Sequence, residues 1–186
     1  MDKAAELLAE LRRYRPADLQ EAGHHRVVLD FLRDAPSPFS RDHFVPGHIT
    51  GSCFIVDPAS QRVLLHHHRR LDRWLQMGGH VEHGESALEA ALREGREESG
   101  LADLVLLSHG AFDIDVHDIP PAKGEPDHAH FDIRYVARTS HPESIMIDAA
   151  ESNDLAWVEL ERAIPLMNEE GSRRAMLKIR QMLAGE

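Results

Sequence analysis

Three glutamates one helical turn apart, Glu94, Glu97 and Glu98, follow a loop rich in glycine, Gly78-Gly79-His80-Val81-Glu82-His83-Gly84-Glu85. Carboxylates at i, i+3 and i+4 share one face of a helix and repel by a few tenths of a kcal/mol per pair when nothing positive lies between them. An all-oxygen set of this kind suits a hard divalent cation, Mg²⁺ with Mn²⁺ as the common substitute, bridged to substrate phosphates. Arg93 is beside Glu97 on the wheel and within reach of Glu85, so it can brace the loop before the helix. The competing reading is a solvated, charge-rich face. The glycines flanking the loop, which permit tight turns and close backbone approach to a ligand, weigh toward the metal.

The element that must present these acids is a helix from Ser86 to Ser99. Ser86 with Glu89 makes a capping box, Ala87, Leu88, Ala90, Ala91 and Leu92 favour helix, and Gly100 suits its end. Leu88, Ala91, Leu92, Gly95 and Ser99 fall on one side and the three acids gather on another. Gly95 costs roughly 0.5–1 kcal/mol against alanine mid-helix, a cost consistent with close packing of the helix on a sheet. Strands are expected at Ile49–Val56 and Val63–His68, joined by the turn Asp57-Pro58-Ala59-Ser60, and further on at Trp74–Met77, about Val105–Val116, His130–Ala137 and Leu155–Val158. Ser172–Leu183 reads as a closing helix. Helices are also expected over 2–14 and about 17–33, with Leu7, Leu8 and Leu11 and then Val27, Val28, Phe31 and Leu32 at helical spacing. Strands with one central and one terminal helix give an α/β protein with a central mixed sheet between helical layers.

The spacing Gly79, five residues, Glu85, seven residues, Arg93-Glu94-x-x-Glu97-Glu98-x-Gly100-Leu101 resembles the signature of the Nudix hydrolase family, with Gly95 standing where the family usually carries an aliphatic residue. The resemblance covers roughly residues 46–184. It implies a Nudix-type α/β/α sandwich over 46–186, preceded by an N-terminal helical arm over 1–45. It further implies a nucleotide pyrophosphohydrolase: water attacks phosphorus in a nucleoside diphosphate linked to some group X while divalent metal neutralises the developing charge. On that basis Glu97 and Glu98 are metal ligands, Glu94 a ligand or general base, and the Gly79 carbonyl an extra ligand. Many members add an acid from a later loop, and Glu151 is the candidate, against a solvated loop acid.

Other residues are open to two readings each. Arg69, Arg70 and Arg73 surround the turn before Trp74, so Arg70 is a candidate for phosphate and Trp74 for stacking on a base, against an exposed turn arginine and a core aromatic. Arg134 is a further anion-binding candidate. His128-x-His130-x-Asp132 puts three potential ligands on one strand face, a candidate second metal site. The triplet His66-His67-His68 splits between two faces and cannot chelate as a unit. Pro120 to Pro126 reads as a loop that could set substrate specificity.

Composition sets bounds. At 186 residues one domain is expected. There are 32 acidic against 21 basic residues, a net charge of −11, which disfavours non-specific nucleic-acid binding and anionic membranes but not a nucleotide carried with metal. The N-terminus lacks the basic-then-apolar order of a secretory signal and no run of about 18 apolar residues occurs, so a cytoplasmic protein is expected. The single cysteine, Cys53, is read as a buried strand residue. Two rivals to the hydrolase remain. Isopentenyl-diphosphate isomerase shares the Nudix scaffold but needs a catalytic cysteine in a setting that Gly51-Ser52-Cys53-Phe54-Ile55 does not provide. A Nudix-like module that senses a nucleotide without cleaving it would be expected to have lost its acids. The arm also offers a surface for a homodimer.

Overall fold

The computed structural model describes residues 2–108, 110–122, 124–150, 152–167 and 169–185. In chain order its elements are α1 (Lys3–Leu11), α2 (Leu19–Asp34), β1 (Gly47–Asp57), β2 (Arg62–His68), β3 (Arg73–Leu75), β4 (Met77–His80), α3 (Ala87–Ser99), β5 (Val105–Leu106), β6 (Asp113–Ile119), β7 (His128–Arg138), β8 (Ser152–Glu159), α4 (Leu160–Leu166) and α5 (Glu170–Ala184). These form a mixed β-sheet with helices on both sides. Strands hydrogen-bond in the order β3-β2-β1-β7-β5, with β4 beside β1, β6 beside β7 and β8 beside β2. Two expected strands are each divided: Gln76 separates β3 from β4, and residues 107–112 separate β5 from β6. The expected closing helix is preceded by the short α4, which contains Pro165.

By compactness the chain falls into two interleaved units, one of residues 1–52, 78–91 and 110–135, the other of 53–77, 92–109 and 136–186. In the first, α1 is capped by Asp2, whose side chain accepts from the Ala4 and Ala5 N–H groups, and α2 by Asp18, which accepts from Glu21 N–H at 2.7 Å. Residues 1–45 fall within this first unit. Phe31 of α2 stacks on Phe131 of β7 with ring centroids 4.1 Å apart. Glu21, fully buried, accepts from the Ile114 N–H of β6 at 3.2 Å and from the Tyr14 hydroxyl. α3 starts with the expected capping box: Glu89 accepts from Ser86 N–H at 2.7 Å, and Ser86 Oγ accepts from Glu89 N–H at 3.2 Å. The helix then crosses β1 so closely that a Cβ on Gly51 would lie 2.2 Å from the Ala87 carbonyl oxygen.

In the second unit, β2 pairs with β1, β3 and β8, the last over Arg62↔Glu159 to His68↔Ser152. α4 and α5 pack on each other, and α4 lies against β8 and β2. The later part of α3 rests on the sheet through Gly95, whose missing Cβ would sit 3.0 Å from Leu104 Cδ1 and 3.5 Å from Cys53 Cβ. A Cβ there would press on the tip of Leu104 and meet Cys53 at ordinary contact distance. Gly100 ends the helix at φ +74°, a conformation that disfavours any Cβ.

Candidate active site

The acids of α3 differ in how they meet water. Glu98 is buried, with 3% of its surface exposed, Glu94 retains 17% of its side-chain surface and Glu97 60%. One guanidinium nitrogen of Arg93 donates to Glu94 at 2.8 Å and to Glu97 at 3.1 Å, drawing two of the three carboxylates together. Glu97 and Glu98 also occupy the last turn of α3, where the negative end of the helix dipole favours a cation.

His66 of β2 lies beside Glu98, its Nδ1 3.8 Å from a carboxylate oxygen. The Ser152 hydroxyl donates to that Nδ1 at 2.7 Å, and the ring donates to the Gln76 carbonyl. Burial pushes the His66 pKa down to about 4, with the neighbouring His68 adding to the shift. At neutral pH His66 therefore brings no positive charge to Glu98. Carboxylate oxygens gathered on one helix, two of the three groups sharing Arg93, fit a hard divalent ion by their chemistry.

The remaining residues of the expected site are placed as follows. Gly79 is in β4, in the first unit. Arg70 is exposed in the turn between β2 and β3. Trp74 stands opposite His67, with ring centroids 5.3 Å apart. Cross-strand partners share a face and successive residues alternate, so Trp74 lies on the face of the β2–β3 pair opposite to His66. It therefore does not face Glu98. Glu151 lies outside the described residues. Cys53 is fully buried, and burial pushes its thiol up to about 12, which leaves no nucleophilic thiolate.

Arg134 has a different role from the anion-binding one expected. Only 2% exposed, it bonds Asp132 at 2.8 Å, Asp115 at 2.9 Å and Asp113 at 3.4 Å. A guanidinium spent on three carboxylates has no fork left for a phosphate. Burial alone would raise the Asp115 pKa, but Arg134 and His117 together hold it well below the usual range. Asp132 also accepts from Thr50 at 3.1 Å and Ser52 at 2.8 Å. It therefore belongs to this network and not to the histidines two and four residues before it.

His128 and His130 instead meet His48 of β1. Ring centroids are 5.0 Å apart for His48 and His128, 4.9 Å for His48 and His130, and 5.2 Å for His128 and His130. His80 and His117 border the group, at 5.0 Å from His48 and 5.6 Å from His130 respectively. His48 was not singled out in the sequence. It is the second residue of β1, and only the pairing of β1 with β7 reveals its neighbours.

Burial and then the adjacent His80 ring push the His48 pKa down to about 4. Rings that bind a proton less readily folded than unfolded contribute stability that is complete above the unfolded pKa of 6.5 and lost as the pH falls toward 4. His117 runs the other way: despite its burial, the bond to Asp115 raises its pKa, so its contribution fades as the pH rises. With His48, His66 and His130 all shifted down, the denaturant midpoint should fall between pH 6.5 and 4.5, each ring adding about 1.4 kcal/mol per pH unit at most. A midpoint that holds steady over that interval would show that these rings are not kept neutral.

A NUDIX domain model matches residues 47–179 of the chain. A bis(5'-nucleosyl)-tetraphosphatase (asymmetrical) from Caenorhabditis elegans is 29% identical over 114 residues, 60% of this chain and 77% of that protein. Among solved structures, the C. elegans Ap4A hydrolase binary complex aligns with TM-score 0.61 at 22% identity, over 74% of this chain and 98% of that one. The E. coli dihydroneopterin triphosphate pyrophosphohydrolase aligns with TM-score 0.56 at 22% identity, over 74% and 96%. A NUDIX-family hydrolase from Clostridium perfringens gives TM-score 0.52 at 27% identity, over 74% and 96%.

Proposed function

We propose, from the premise that the chain belongs to the NUDIX family and is a hydrolase of phosphoric anhydride bonds, that it cleaves the diphosphate linkage of a nucleoside diphosphate linked to X with the help of Mg²⁺ or Mn²⁺. The observation that carries the reading is the carboxylate group of α3, with Glu98 withdrawn from water and Glu94 and Glu97 gathered by one arginine.

Glu94, Glu97 and Glu98 would hold the ion. When bound, it supplies charge neutralisation at the phosphoryl oxygens and a water acidified toward neutrality. Glu98, fixed beside His66, sets the position of that charge. Glu94, partly exposed and hydrogen-bonded to Arg93, would serve as a ligand or as the base that takes a proton from the attacking water, and the Gly79 carbonyl is a proposed further ligand. Glu151 is the proposed loop acid. Arg70 is the proposed contact for substrate phosphate.

The name of the C. elegans relative makes dinucleoside polyphosphates the first compounds to test. Nucleoside triphosphates, ADP-ribose, NADH and coenzyme A complete the panel. The expected outcome is phosphate or nucleotide release from one class in Mg²⁺ or Mn²⁺, abolished by EDTA. Tight metal-dependent nucleotide binding with no release from any compound would favour the sensing module instead. The isomerase reading has no support from Cys53, whose thiol is buried and protonated. No helix among the described residues is long and apolar enough to cross a membrane. A small-molecule partner in the cytoplasm is the setting we propose, and a homodimer through the arm remains part of that proposal.

A further inference from the structure

The three histidines of the first unit carry an inference that draws on no residue of α3. His48 is 1% exposed and His128 6%, and the Nε2 atoms of His48, His128 and His130 are all buried with no hydrogen-bond partner among the described residues. Buried polar atoms are almost always satisfied, and each exception calls for an ordered water, an ion or a function. Three orphaned nitrogens in one place call for a shared explanation.

The other ring nitrogens decide what the orphans are. His48 Nδ1 lies 3.3 Å from the His43 carbonyl oxygen and His128 Nδ1 2.8 Å from the Pro126 carbonyl oxygen. A carbonyl only accepts, so both Nδ1 atoms carry the proton and both Nε2 atoms expose a lone pair. This is the arrangement by which proteins orient and activate a metal-binding histidine. The ligand atoms of His48, His128 and His130 all lie within 4.8 Å of one another. A tetrahedral ion with bonds of about 2.1 Å needs its nitrogens about 3.4 Å apart, a separation that modest ring rotations reach.

We propose that His48, His128 and His130 form a site for a borderline divalent cation of the zinc class, bound through three Nε2 atoms with a fourth position left for water or an exogenous ligand. The donor chemistry separates it from the α3 acids: imidazole nitrogens select zinc-like ions, whereas the glutamates select Mg²⁺. His128 also lines an open cleft of about 840 Å³ formed with Phe44, Asp118, Pro120 and Asp127, which gives an ion and its fourth ligand a way in.

The test uses the full chain, stripped with a chelator and titrated with Co²⁺ and then Zn²⁺ in excess Mg²⁺. One Co²⁺ per chain with the intense visible bands of a tetrahedral site, displaced by Zn²⁺ and retained in Glu98→Gln, is the expected result. Binding should weaken at least about 100-fold in His48→Gln and His128→Gln, more than loss of an outer partner costs. Should those variants fold poorly, ¹⁵N spectra of histidine-labelled wild type read ligation directly, as Zn²⁺-induced shifts at three Nε2 atoms. Absence of such shifts would show that the nitrogens merely share a buried water and would overturn the site. Co²⁺ binding that persists in both glutamine variants, or disappears in Glu98→Gln, would overturn it equally.

Discussion

Glu98→Gln should lower the hydrolytic rate by about 10²–10⁴-fold while leaving the metal-free protein at least as stable as wild type. Glutamine keeps the shape of glutamate and removes only the charge. In the folded chain that group is almost out of water, and burying a neutral amide costs less desolvation than burying a carboxylate. The same charge is what a divalent ion would be held by, and losing several kcal/mol of transition-state stabilisation corresponds to a rate loss of that size. Thermal melting with and without Mg²⁺ separates the two effects. Wild type should gain stability with the ion and the variant should gain little. A variant that turns over normally would remove Glu98 from the reaction, and one that melts well below wild type in EDTA would make its role structural.

The second large effect is on folding. Arg134→Met should destabilise the protein by about 3–5 kcal/mol, the range for breaking a buried ion pair from one side. Asp113, Asp115 and Asp132 would remain within a few ångströms of one another without their common cation. Arg134→Lys should recover only part of the loss, since a compact ammonium cannot match the fork that reaches three carboxylates. Urea unfolding measures this directly, and a variant within about 1 kcal/mol of wild type would show that the network is balanced without the arginine. Partial repair by adding Asp132→Asn to Arg134→Met would identify excess negative charge as the cause.

The readings that came through best from the sequence were those fixed by neighbours along the chain. The capping box of Ser86 and Glu89, the end at Gly100 and the close packing of Gly95 all depend on residues within one helix and the surface beneath it. Arg134 was misread because its partners are set by the register of β6 on β7, which aligns Asp113 with Arg134 and Asp115 with Asp132. Alternation showed that His128, His130, Asp132 and Arg134 share a face of β7. It could not show that Thr50 and Ser52 would claim Asp132 while His48 joined the histidines. Trp74 is a similar case: its strand was expected, but pairing with His67 turned its ring away from Glu98. The break at Gln76 falls where pairing passes from β2, the partner of β3, to β1, the partner of β4, whereas β5 and β6 pair with two separate stretches of β7.

The docking of α2 bears on where this protein can be cut or joined. The family match begins at Gly47, yet Phe31 stacks on Phe131 and Glu21 supplies the acceptor for the Ile114 amide. Anyone transplanting the fold into a chimera, or shortening it for expression, would find the workable seam ahead of α1 rather than at the edge of the family match.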